Sequence, residues 1–71
     1  MDSLQFRVEY MVFFADGHVW EEYADAANES EVENWVREKI TDTRNESAAI
    51  GHSFTEIIRL TDYTNQTSRL V

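Results

Sequence analysis

The first fourteen residues constrain the fold more than any other part of the chain. Leu4, Phe6, Val8, Tyr10, Val12 and Phe14 recur at every second position, with Gln5, Arg7 and Glu9 among the residues between them. A period of two, carried by aromatic and β-branched side chains, puts one face of a strand in a core and the other toward water. The strand is expected over about 4–14. Asp16-Gly17 follows, and Asp-Gly between two such runs is a two-residue hairpin signal. The second strand then spans about 18–25. With that turn setting the register, Phe14 lies opposite Val19, Phe13 opposite Trp20 and Tyr10 opposite Tyr23. A slip of one residue would exchange the two faces.

A helix start is marked next. Asn28 is a good N-cap, Glu31 supplies the third-position carboxylate of a capping box, and Ala27 can staple against Val32. Glu29, Glu31 and Glu33 fall in the first turns, where the helix dipole favours anions. Val32, Trp35, Val36 and Ile40 form the buried stripe, and the spacing predicts a helix over about 28–43. Residues 45–51 read as a loop ending at Gly51. A third strand is expected over about 53–63, with Phe54, Ile58 and Leu60 on one face, and residues 65–71 read as a loose tail.

The order is β-β-α-β in a single domain, residues 1–71, since a chain this short has room for one core. The expected fold is α+β: a three-stranded antiparallel sheet in the order 2-1-3, with one helix packed on one face. The right-handed crossover places the helix on that single face. The first strand is the most apolar of the three, which suits the central place.

Charge is the second constraint. The sequence carries 14 acidic and 6 basic residues, a formal net charge of −8. Between Arg7 and Arg37 there is no lysine or arginine, while Glu9, Asp16, Glu21, Glu22, Asp25, Glu29, Glu31 and Glu33 fall in that span. The rest of the chain is balanced, so residues 8–36 hold the whole net charge. Phosphates demand a basic footprint, so direct nucleic-acid binding is not expected. A basic protein surface is the natural complement.

Chemistry is weakly represented. With no cysteine, disulfides and thiolate metal sites are excluded. His18 and His52 share no ligand spacing, and Asp16-Gly17 reads as a turn rather than a calcium loop. Two glycines in all leave no phosphate-binding loop and no G-x-S-x-G elbow. No catalytic residue, metal or cofactor is expected. No apolar run approaches membrane-spanning length, the start lacks a basic region before an apolar stretch, and a cytoplasmic protein is the simplest reading.

What remains is binding. One helix covers one face of the sheet, so the other face is open, and the expected register gathers Met11, Phe13 and Trp20 there as an apolar anchor. Glu21, Glu22, Asp25, Glu29, Glu31 and Glu33 are expected to cluster beside it. Carboxylates spaced along a rigid domain can present charge as a phosphate backbone does. Small, acidic, cysteine-free inhibitors that work this way are often phage products, and the chain is similar in kind. The expected function is an acidic interaction module, in its most specific form an inhibitor of a nucleic-acid-processing protein. The alternative is a homo-oligomeric or accessory structural subunit that pairs through the open sheet face.

Overall fold

A computed structural model describes residues 5–71, so Leu4 of the expected first strand lies outside the described residues. The elements are β1 (Phe6–Phe14), β2 (Val19–Ala26), α1 (Glu29–Ile50), β3 (Phe54–Asp62) and β4 (Thr67–Leu70). One antiparallel sheet has the order β2-β1-β3-β4, and α1 packs on one of its faces. The α+β class and the order of the first three strands agree with the sequence reading. The fourth strand does not: β4 occupies what reads as a loose tail.

Alternation decides the layout of β1. Phe6, Val8, Tyr10, Val12 and Phe14 are all buried, Val8 and Val12 completely. Burying a valine side chain contributes roughly 1.5–3 kcal/mol, so this face is a large part of the core. Toward one end Phe6 and Val8 pack with Ala26, Val32 and Leu60; toward the other, Tyr10, Val12 and Phe14 pack with Trp35, Ile40, Ile50, Phe54 and Ile58.

The hairpin corrects the expected register by one residue. Phe13 pairs with Val19, Val12 with Trp20 and Tyr10 with Glu22. The cause is the turn. Phe14 N–H donates to the His18 carbonyl (2.9 Å) and Gly17 N–H to the Phe14 carbonyl (3.0 Å), so the loop contains Ala15, Asp16 and Gly17. Gly17 takes φ +99°, the conformation that closes a three-residue loop with a bulge. A third loop residue turns every β2 side chain to the opposite face: Trp20, Glu22, Ala24 and Ala26 face α1, and Val19, Glu21, Tyr23 and Asp25 face away.

The helix starts where its cap predicts and ends later. Asn28 Oδ1 accepts from Glu31 N–H (3.0 Å), while Glu31 Oε2 accepts from Ala27 N–H (3.0 Å), one residue before the cap. Instead of fading near 43, α1 runs to Ile50, so most of the expected 45–51 loop is helical. Gly51 is the left-handed C-cap (φ 73°), its N–H donating to Ser47 O (2.9 Å). The extra turns bring Ile50 against the cluster of Tyr10, Val12 and Phe14, on which Phe54 also packs. Thr43, fully buried, meets the Tyr10 hydroxyl at 3.0 Å, and Tyr10 Oη donates to Glu56 Oε2 at 2.5 Å.

Between β3 and β4 the chain turns without glycine or proline. Asp62 Oδ1 accepts from Thr64 N–H (3.0 Å) and Asn65 N–H (3.2 Å), and its Oδ2 from Asn65 Nδ2 (2.8 Å). These bonds hold the Asp62 carboxyl below the usual carboxylate range, the Asn65 side chain contributing most. Gln66 takes a positive φ of 54°. Asp62 then pairs with Thr67 and Arg59 with Leu70.

Candidate functional site

The corrected register separates the expected anchor. Met11 and Phe13 stay on the uncovered face, where Val19 and Ile57 join them. Trp20 moves to the helix side and meets Phe14 edge-on (centroids 5.0 Å apart, planes at 76°). It does not enter the core, because β2 is the edge of the sheet: Trp20 keeps 37% of its surface exposed.

The expected acidic cluster is likewise divided. Asp25 receives Arg7 Nε (2.9 Å) and Nη2 (3.1 Å) on the uncovered face, and the same guanidinium lies 4.4 Å from the Tyr23 ring centroid. That pairing holds the Asp25 carboxyl below its usual range and raises the Arg7 guanidinium further. Glu22 pairs with Lys39 Nζ at 2.9 Å across the β2–α1 gap, and Glu31 is occupied by the cap. Glu29 and Glu33 lie on the far flank of α1, beside Arg37, Arg44 and Arg69. Of the expected set, Trp20, Glu21 and Glu22 line one groove; Met11 and Phe13 stay together on the uncovered face, Met11 beside Glu21, and Asp25, Glu29, Glu31 and Glu33 lie outside the groove.

What gathers around those three is a groove between β2 and α1 of about 530 Å³. Val19, Trp20, Glu21 and Glu22 form one wall, Lys39 and Asp42 the other, and Tyr10 and Thr43 lie at its floor. Val19 is 55% exposed. Glu22 raises the Lys39 ammonium pKa most among its charged neighbours, with smaller contributions from Asp42 and Glu38, so three carboxylates act on this one cation. Glu38, Asp42 and Glu46 stand four residues apart and so share one stripe of the helix, about 6 Å between neighbours along the axis. These residues are missing from the sequence-based site. The spacing was the available signal, but a helix ending near 43 hides it.

The far flank mixes arginines with Glu29 and Glu33. Arg7, Lys39 and Arg59 each pair with a carboxylate. Arg37, Arg44 and Arg69 have no carboxylate within 4.0 Å among the described residues, and all three line a second groove, floored by Val36, Ile40, Ile58 and Leu60. One helix therefore divides an acidic groove on the β2 side from an arginine-bearing one on the β3–β4 side.

The β2-side groove offers an exposed indole, an exposed valine, carboxylates on both walls and the backbone of a sheet edge. These are recognition elements for a cationic, partly apolar chain. Among the described residues, no group of three or more His, Asp or Glu side chains is arranged to hold a metal ion. No helix there is long and apolar enough to cross a membrane.

By fold the chain is a two-layer α+β protein with an antiparallel sheet. Comparison with protein-family models, with curated proteins and with solved structures finds no match to any of them.

Proposed function

We propose that the chain is a protein-interaction module that captures a basic, extended protein segment along β2 and the groove beside it. The observation that carries this reading is the coincidence of Trp20 and Val19, both exposed, with Glu21, Glu22 and Asp42 along an unpaired sheet edge. A docked strand would bond to the β2 backbone, place an apolar side chain against Trp20 and turn lysines or arginines toward the carboxylates. In its most specific form the module is an inhibitor that covers the basic surface of a nucleic-acid-processing protein. The helical row of Glu38, Asp42 and Glu46 then extends the contact as regularly spaced negative charge.

The test is capture of a basic partner at low and high salt, by the native chain and by the triple variant Glu21→Gln/Glu22→Gln/Asp42→Asn. Screening weakens exposed attractions, so binding should fall as salt rises, and the variant should bind weakly at all salt concentrations. Capture that is indifferent to both would overturn the reading.

A further inference from the structure

The uncovered face of the sheet is organised in rows that the strand registers define. The central row reads Tyr23, Glu9, Arg59, Leu70 across β2, β1, β3 and β4. Toward the hairpin follow Glu21, Met11, Ile57 and then Val19, Phe13, Thr55. Phe13, Tyr23 and Leu70 are 41%, 62% and 66% exposed, and Met11 and Ile57 are half-buried between them.

Net charge is nearly absent from this face. Its ionised groups are two cations, Arg7 and Arg59, against three carboxylates, Glu9, Glu21 and Asp25, a net −1 out of −8. Arg7 pairs with Asp25, and Arg59 lies 4.0 Å from Glu9. The acidity of the chain sits elsewhere, so this is the surface that two copies can bring together with the least repulsion.

We propose that a second copy of this chain covers the face, sheet against sheet, about a two-fold axis running along the strands between β1 and β3. Such a rotation lays β1 over β3 of the second copy and β2 over its β4, while each row stays over the same row. Glu9 then faces Arg59 of the second copy, Met11 faces its Ile57, and Tyr23 faces its Leu70. The central row, apolar–acidic–basic–apolar, is complementary to its own reverse. A two-fold interface requires that property, and a foreign partner does not. Three strands of about seven residues and the four residues of β4, at ~4.8 Å between strands and ~3.4 Å per residue, give a face of roughly 400 Å² in projection. Two such faces bury roughly 800 Å², the size of a weak, concentration-dependent interface. Val19 and Glu21 border both surfaces, while Trp20, Glu22, Lys39 and Asp42 of the β2-side groove lie on the helix side and stay free in both copies.

Sedimentation over a concentration series tests this. The native chain should approach twice its 8.3 kDa. Met11→Asp and Phe13→Asp should weaken association at least tenfold, with unchanged circular dichroism. Glu9→Arg should weaken it by setting the new guanidinium against that of Arg59 in the second copy, and the exchange Glu9→Arg/Arg59→Glu should restore it. A folded native chain that stays at 8.3 kDa at high concentration, or a dimer indifferent to all of these changes, would overturn the proposal. Loss of self-association with retained salt-sensitive capture would remove the pairing and leave the groove reading standing.

Discussion

Tyr10 joins the two layers of the molecule. Its ring lies 6.4 Å from Trp35 in an edge-to-face arrangement, and its hydroxyl meets Thr43 and Glu56. Burial and the neighbouring Glu56 carboxylate push its pKa up to about 12. A phenol ionising near ~10 in the unfolded chain then contributes stability that is complete below about pH 10 and lost as pH rises toward about 12, because the folded state holds the proton longer. Tyr10→Phe should flatten that alkaline decline, read as melting temperature against pH. At neutral pH the same change leaves the Thr43 hydroxyl without this partner and should cost about 1–2 kcal/mol in denaturant unfolding. The sequence marks Tyr10 as a core position. Its partners are invisible there, since they lie 33 and 46 residues away.

At the scale of elements, local signals were readable where side chains state them. The alternation of β1, the Asn28 cap and the apolar face of β3 can each be read from the chain, and Asn28→Ala should cost about 1 kcal/mol in equilibrium unfolding. Three features could not be read. Asp16-Gly17 serves a two- or a three-residue loop equally well, and one residue decides which face Trp20 occupies. Residues 45–50 contain asparagine and serine, which locally favour turns, yet packing of Ile50 against the cluster of Tyr10, Val12 and Phe14 carries the helix through them. β4 has every side chain exposed, so it is held by backbone bonds to β3 and leaves no hydrophobic period. Gly17 has open space around a would-be Cβ. Gly17→Ala should therefore cost only the backbone strain of a positive φ, about 1–2 kcal/mol in equilibrium unfolding. A much larger loss would mean that the loop is closed differently.

For the whole molecule, size sets the margin. A domain of this length has roughly 4–10 kcal/mol of stability. Leu60→Ala, at a buried position in the core that ties β1, β3 and α1 together, should cost about 2–5 kcal/mol and lower the thermal unfolding midpoint by tens of degrees or leave the chain largely unfolded. The uneven charge of the sequence survives in the fold as a different pattern. Cations and carboxylates come within one charge of cancelling on the open sheet face, arginines line one flank of α1, and acid dominates the other. Of the residues singled out in the sequence, Trp20, Glu21 and Glu22 line the candidate groove; their contiguity on one strand was legible, but the face each takes depends on the hairpin register. Their complement, Asp42, depends on how the helix crosses the sheet. The central claim is that this acidic flank is a binding groove, and amide NMR of the chain titrated with a short lysine-rich extended peptide tests it most directly. Shifts should concentrate at Val19–Glu22 and Lys39–Thr43, with the Trp20 indole protected and the effect fading in salt. Shifts spread evenly over the acidic residues, or centred on the arginine flank, would contradict it.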